Sequence, residues 1–157
     1  GDAEQDAPLA DATARGFGVG GDLGVGVSRY VVVGVWGRRD AFPEGSACAS
    51  CETTATAFGA ALEYHLIDGT SFDPWTGYGF GWRSMTTDSS SGGSVSYTGP
   101  EWARLTMGGD YWFASQVGAG PVLELDLGRY TKRTPGELAE AATHATWFLG
   151  ARAVAQF

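Results

Sequence analysis

The chain has 157 residues, a formal net charge of −8 and only 18% charged residues, compared with about 25% in typical soluble proteins. Its length fits a single domain, and a hydrophobic content of 43% excludes a chain that is disordered throughout. The negative charge argues against nucleic acid as a partner, because surfaces that bind nucleic acid are basic. No apolar run approaches the ~18 residues that a membrane-spanning helix needs.

The N-terminal segment 1–15 is acidic, with Asp2, Glu4, Asp6 and Asp11 close together. We interpret it as a solvated tail, distinct from the unit that spans 16–157. The chain begins at Gly1 rather than at a methionine, which is compatible with the removal of a leader peptide.

Seven segments after this tail show the two-residue periodicity that is typical of β-strands, and many of the 25 glycines occupy every second position in them. These segments span 16–27, 30–40, 54–67, 74–87, 101–114, 117–131 and 144–157. They exceed the ~5–6 residues usual for strands of globular sheets. They match the ~9–11 residues that cross a bilayer at a tilt, with some overhang.

Short and long connections alternate between these segments, as they do in outer-membrane barrels. The short connections are 28–29, 68–73 and 115–116, and the long ones are 41–53, 88–100 and 132–143. In the last long connection, Thr134, Pro135 and Glu137 have the spacing of a helix capping box. This spacing predicts a short helix through 142.

In most of these strands, alternate residues form two different faces, one of large apolar residues and one of small or charged residues. Leu123 and Leu125, for example, alternate with Glu124. Only the segment 30–40 resists sorting, because the valines at 31–33 are consecutive. An apolar exterior around a polar interior predicts an all-β fold, namely an antiparallel up-and-down transmembrane β-barrel of about eight strands, seven of them clear.

The charged residues of the inner face predict an ion-pair network that fills the lumen. A barrel of about eight strands has an interior just wide enough for side chains, and a buried charge without a partner is costly. Arginine suits this role because its planar fork bridges two carboxylates. The predicted network consists of Asp22, Glu63, His65, Arg83, Arg104, Asp110, Glu124, Asp126 and Arg152. A conducting or binding role for some of these residues is the alternative.

The two cysteines, Cys48 and Cys51, form a C-x-x-C motif. A redox site would need a helix N-terminus in a βαβ setting, and a zinc site would need two more ligands nearby. Neither is visible, so we expect a disulfide that pins a loop in an oxidising compartment.

The last eleven residues place Trp147, Leu149 and Phe157 on one apolar face and end on an aromatic residue. In this segment, and in the strand pattern of 16–157, the chain resembles the small bacterial outer-membrane β-barrels of the OmpA-like and OmpX-like kind. The resemblance implies that 147–157 is the C-terminal signal presented to the barrel-assembly machinery. It also implies integral location in the outer membrane, contact with the lipid bilayer and lipopolysaccharide, and a structural, envelope-interaction or narrow-pore role.

One departure from that family concerns the number of strands. Single-chain outer-membrane barrels have an even number, whereas seven are evident here. The missing strand lies in 1–15, has been removed, or comes from a second chain that completes the barrel. By default we expect the segment 16–27 to close the barrel against 144–157, since an open edge in lipid leaves backbone groups unsatisfied.

Two other functions fit the sequence less well. A soluble, lipocalin-like binder of small molecules needs an apolar lumen, which the glycine-rich and charged inner face does not offer. A lipid-modifying outer-membrane enzyme needs a nucleophile beside a base, but Ser84 has the opposite parity to His65. We therefore expect no catalytic residues, no cofactor and no metal.

Overall fold

The computed structural model describes residues 16–45, 48–67, 71–89, 93–138 and 140–156. They form eight β-strands in one antiparallel sheet and no helix. The strands are β1 (Phe17–Gly26), β2 (Val31–Gly45), β3 (Cys48–His65), β4 (Phe72–Ser89), β5 (Ser94–Ala114), β6 (Val117–Tyr130), β7 (Lys132–Thr134) and β8 (Ala142–Ala155). The prediction of an all-β, up-and-down antiparallel fold is thus confirmed.

The strand order follows the chain, β1-β2-β3-β4-β5-β6-β8. The three-residue β7 pairs with Ser96–Thr98, near the beginning of β5. Local hydrogen bonds explain the tight turn after β1. The amide of Val27 donates to the carbonyl of Val31 at 2.9 Å, and the Ser28 hydroxyl accepts from the amides of Tyr30 and Val31. We call the end of the sheet that carries the turns 27–30 and 115–116 the short-turn end.

The opposite end of the sheet differs from the prediction, because much of 41–53 and 88–100 is strand rather than loop. Phe42 pairs with Thr53, and Thr86 pairs with Ser96. The threonines and serines of these segments stabilise the pairing, with Oγ atoms 2.8 Å apart between Thr86 and Ser96; β-branched residues favour strands. We call this region, formed by 39–45, 48–56, 84–89, 94–100 and 129–134, the long-hairpin end.

The predicted helix after Thr134 is wrong for the described residues 134–138. Lys132–Thr134 extends instead as β7 and pairs with Ser96–Thr98. Gly136 has a φ of 92°, which lies outside the right-handed helical region. The capping-box pattern was therefore a sequence coincidence in an extended segment.

The sheet curls strongly but is not closed within the described part of the chain. Ion pairs link β2 to β6 and β1 to β5, so strands four places apart face each other across the concave side. Among the described residues, β1 pairs only with β2 and β8 pairs only with β6. The expected closure of 16–27 on 144–157 is therefore absent from that part of the chain. The geometric reason is that seven long antiparallel strands leave β1 and β8 running in the same direction.

Glycines let the concave side accommodate a large aromatic ring. Gly59 and Gly81 pair on neighbouring strands, and a Cβ on Gly59 would overlap the carbonyl oxygen of Phe80. A Cβ on Gly79 of β4 would lie 3.1 Å from Nε1 of Trp36. Trp36 is only 3% exposed and donates from Nε1 to the carbonyl of Ala60 at 3.2 Å.

Candidate functional site

The outer surface of the sheet carries most of its large hydrophobic side chains. Among the described residues, 26 large hydrophobic side chains are exposed, whereas only seven hydrophobic residues are buried. We call the part of this surface between the two ends of the sheet the apolar band; it includes Phe17, Val19, Leu23, Val25, Val33, Val35, Phe58, Leu62, Tyr64, Tyr78, Phe80, Trp82, Trp102, Leu105, Met107, Tyr111, Phe113, Val117, Leu123, Trp147 and Leu149. Such an apolar exterior needs an apolar environment to cover it.

The predicted division of the two faces is confirmed on β6. Leu123 is 36% exposed, whereas Glu124 and Asp126 are 5% and 0% exposed. On β8, Leu149 is 84% exposed and therefore lies in the outer surface. The sheet thus turns hydrocarbon outward and ionic groups inward, opposite to a protein folded around an apolar core.

A group of eight charged side chains occupies the middle of the concave side, and we call it the central network. Its members are Asp22, Arg38, Asp40, Arg83, Glu101, Arg104, Glu124 and Asp126. Arg83, only 1% exposed, donates from Nε to Glu101 at 2.5 Å and from Nη2 to Asp126 at 2.9 Å. Because it bridges β5 and β6 from β4, this guanidinium ties three strands together.

Two further arginines complete the central network. Arg38 on β2 forms an ion pair with Asp40, with Nε 2.8 Å from Oδ1, and contacts both Glu124 and Asp126 on β6. Arg104 on β5 contacts Glu124 at 2.7 Å and Asp22 on β1 at 2.8 Å. These pairs cross the concave side, so they stabilise its curvature as well as neutralising charge.

A second group lies toward the short-turn end, and we call it the end network: Glu63, His65, Asp73, Asp110 and Arg152. Arg152 on β8 donates to both oxygens of Glu63, at 2.7 and 2.9 Å, and also contacts Asp110. His65 lies between two carboxylates, with Nε2 3.1 Å from Glu63 and Nδ1 2.6 Å from Asp73. The imidazole is therefore held on both sides by its neighbours.

Aromatic rings cover three of the four network arginines. The guanidinium carbon lies 3.6 Å from the ring centroid of Trp75 for Arg152 and 3.7 Å from that of Phe148 for Arg38. The corresponding distance from Arg104 to Trp36 is 4.7 Å. Cation–π contacts of this kind strengthen when water is excluded, and the rings exclude it here.

The two networks together contain more carboxylates than cations. Among the described residues, eight carboxylates face four guanidinium groups and the imidazole of His65. The buried atoms Glu101 Oε1 and Asp126 Oδ1 have no hydrogen-bond partner in that part of the chain. The carboxylates of the interior can therefore accept further hydrogen bonds. Asp22 is the most accessible of them, because its side chain is 51% exposed.

The structure brings all nine residues predicted for the lumen into these two networks, five of them into the central network and four, including His65, into the end network. Sequence reasoning missed Arg38 and Asp40 because consecutive valines hid the parity of β2. It missed Glu101 because a bulge between Glu101 and Ala103 shifts the register by one residue. It missed Asp73 because the beginning of β4 was assigned to a loop.

Some predicted residues lie partly outside the described part of the chain. Trp147 and Leu149 point outward on β8, but Phe157 lies outside the described residues, so the assembly signal stays a prediction. The side chain of Cys48 and the tail 1–15 also lie outside them, and the Cys48–Cys51 disulfide stays a prediction.

The structure keeps apart the two residues weighed for catalysis. His65 pairs across the ladder with Trp75, and Ser84 lies nine positions further along β4, or about 30 Å at the usual rise of a strand. Both nitrogens of His65 already contact carboxylates. This pair does not form a nucleophile–base arrangement.

A cleft of about 960 Å³ opens at the short-turn end, between the edges of β1 and β8. Its wall includes Asp22 and Gly24 from β1 and Val154 from β8, and the end network contributes Arg152 and Glu63. The cleft therefore reaches from the free edges of the sheet to the ionic interior.

The long-hairpin end has the opposite polarity to the rest of the sheet. A small apolar cluster lies inside it: Phe42, Ala55, Met85, Tyr97 and Tyr130. Hydroxyl side chains such as Thr86 and Ser96 pair across strands on its outer side. Around this cluster the chain is arranged as in a water-soluble protein, with hydrocarbon inside and hydroxyl groups outside, although Asp40 and Thr53 are also buried on the inner side.

Two further features are absent from the described residues. No group of three or more His, Cys, Asp or Glu side chains there is placed to hold a metal ion. The same residues contain no helix with the length and apolarity to cross a membrane. Comparison of the chain with protein-family models, with curated proteins and with solved structures finds no match.

Proposed function

We propose that the chain forms the wall of an integral β-barrel in a bacterial outer membrane, with a structural or envelope-interaction role. The observation that carries this proposal is the reversal of polarity along the strands. The apolar band covers the middle of the sheet, and the long-hairpin end beyond it has hydroxyl groups outside and a small apolar cluster inside. A bilayer imposes such a change on strands that cross it and continue into water.

The height of the apolar band also supports the proposal that the strands cross a bilayer. The outward side chains of Phe58, Leu62 and Tyr64 on β3 are exposed hydrophobics, and Leu66, just after the strand, continues the row. From Phe58 to Leu66 this corresponds to roughly 27 Å. A strand tilt of about 40° reduces this to roughly 20 Å across the membrane, close to the ~25 Å apolar belt of outer-membrane barrels.

The interior favours a structural role over an open channel. The interior holds four charged side chains that are each at most 1% exposed, namely Arg83, Glu101, Asp40 and Asp126. Arg38, which contacts Asp40 and Asp126, stacks on the ring of Phe148. A lumen filled in this way does not pass solutes freely. Recognition of other envelope components then falls to the long-hairpin end, which would project beyond the bilayer.

The test compares two outward-facing arginine substitutions. Leu149→Arg places a charge in the apolar band, where an arginine costs about 2–4 kcal/mol at the bilayer midplane. Ser96→Arg places the same charge on the outer side of the long-hairpin end. We expect the wild-type chain and S96R to float with lipid vesicles after refolding, and L149R to remain unfolded or aggregated.

Two results would overturn the proposed membrane location, and a third would overturn only the structural role. One is a wild-type chain that is monodisperse and folded in water without detergent. Another is equal flotation of L149R and S96R. A large, steady conductance in planar bilayers would contradict the filled lumen while leaving the membrane location intact.

A further inference from the structure

We propose that the gap between β1 and β8 is a binding site for a β-strand of another polypeptide, which runs antiparallel to both edges and carries a basic side chain toward Asp22. This inference rests on the proposed membrane location for the apolar character of the strand's outward residues and for the exclusion of a second copy of the chain. Its other features come from the edges, the cleft and the charges.

The two edges offer backbone groups for pairing. All ten residues of β1 are exposed, and in the described part of the chain its ladder has β2 as sole partner. β8 likewise pairs with β6 alone there. A long, regular edge with free amides and carbonyls is a template for another strand, and in lipid those groups require one.

The direction of the edges determines the direction of the occupant. β1 begins opposite Ala41 at the long-hairpin end, and β8 begins opposite Tyr130 at the same end. Both therefore run toward the short-turn end, and one strand running the other way is antiparallel to each. A second copy of this chain with the same orientation in a membrane presents only parallel edges, so it does not continue the antiparallel ladder.

The space between the edges tapers along the sheet. Near the long-hairpin end, the Phe148 ring of β8 lies 3.3 Å from the place where a Cβ on Gly18 of β1 would stand. Toward the short-turn end the edges line the 960 Å³ cleft. The ring lies on the concave side, so an inserted strand passes outside it and lies over the cleft.

The charge of the interior selects a basic occupant. The central network has five carboxylates and three arginines among the described residues. Asp22, its member on the free edge, shares Arg104 with Glu124 and keeps a side chain that is 51% exposed. A lysine or arginine on the adjacent strand would satisfy this carboxylate. The acidic tail 1–15 has the wrong charge for this position.

The experiment uses a fluorescent ten-residue peptide that alternates valine with glycine and has one central arginine on the glycine side. Binding to the full chain, folded in detergent micelles or in water if it proves soluble, is followed by fluorescence anisotropy. We expect saturable binding and slower hydrogen exchange of the β1 amides. Replacing the peptide's arginine with glutamate, or Asp22→Asn in the protein, should weaken binding about tenfold, the effect of one charge-assisted hydrogen bond.

Asp88→Asn is the matched control, because Asp88 is an exposed acid on the outer side of β4; it should leave the affinity unchanged. Several results would overturn the proposal. The first is a lack of saturable binding to a chain that circular dichroism shows to be folded. The second is equal affinity for the arginine and glutamate peptides, and the third is hydrogen-exchange protection confined to the long-hairpin end. The informative β1 amides are those that point away from β2, because the others already bond β2. Protection of the outward-pointing amides without peptide would show that the chain itself, or a second copy, already fills the gap.

Discussion

The middle of the sheet and the long-hairpin end are built from the same strands, yet they divide polar and apolar residues in opposite ways. In the middle, Leu123 lies outside and Asp126 inside. At the long-hairpin end, Met85 and Tyr130 lie inside and Thr86 and Ser96 pair on the outer side. The backbone pairing is continuous through both regions, so the hydrogen bonds of the sheet do not determine which face is apolar. The surroundings decide it.

The two regions are also held together by different forces. The middle depends on buried ion pairs, whose net contribution is small when intact but whose disruption leaves an uncompensated charge. The long-hairpin end depends on ordinary burial of hydrocarbon, at roughly 25 cal/mol per Å². Substitutions of matched chemistry in the two regions therefore separate these contributions.

The largest effect is expected from Arg83→Met in the central network. It leaves Glu101 and Asp126 buried near each other without this guanidinium, and loss of one partner of a buried pair costs about 3–5 kcal/mol. The free energy of unfolding in detergent, measured by urea titration, should fall by that amount. Arg39→Met is the control, because Arg39 is exposed on β2 and its loss should change stability by no more than about 0.5 kcal/mol. Equal losses in the two variants would contradict a network that holds the middle of the sheet together.

An intermediate effect is expected from the two methionines, which occupy the two regions. Met85 is 4% exposed and its sulfur accepts a hydrogen bond from the Tyr130 hydroxyl at 3.7 Å, whereas Met107 is 56% exposed in the apolar band. Met85→Ala should lower the free energy of unfolding by about 2 kcal/mol, the lower end for such truncations because the cluster is small. Met107→Ala should cost less than about 1 kcal/mol. A larger loss from M107A would indicate that Met107 packs against protein rather than lipid or detergent.

The alternation of residue types was sufficient to predict strands, their up-and-down order and which face of β6 is charged, because a period of two is a direct consequence of strand geometry. It was insufficient where local geometry departs from that period. The bulge at Glu101 reversed the parity of its strand, and three branched residues at 31–33 removed any contrast between faces. The strand ends within 41–53 and 88–100 were predicted as loops because they are polar, yet these polar segments pair as regularly as the apolar ones do. The expected closure was wrong although seven strands were evident from the sequence. The expectation rested on the cost of an open edge in lipid, whereas an odd number of antiparallel strands leaves β1 and β8 running in the same direction.

The smallest effect, and the most local, is the chemical reactivity of the same two methionines. Met107 and Met85 are the only methionines in the sequence, so oxidation by periodate, a charged reagent confined to water, reports separately on each region by peptide mass spectrometry. Thioether oxidation follows exposure to the oxidant. In vesicles we expect both methionines to react slowly, Met85 because protein covers it and Met107 because lipid does. In the chain unfolded in urea both should react at the same, faster rate. Rapid oxidation of Met107 in vesicles, with Met85 still protected, would place the apolar band in water and remove the reason for its reversed polarity.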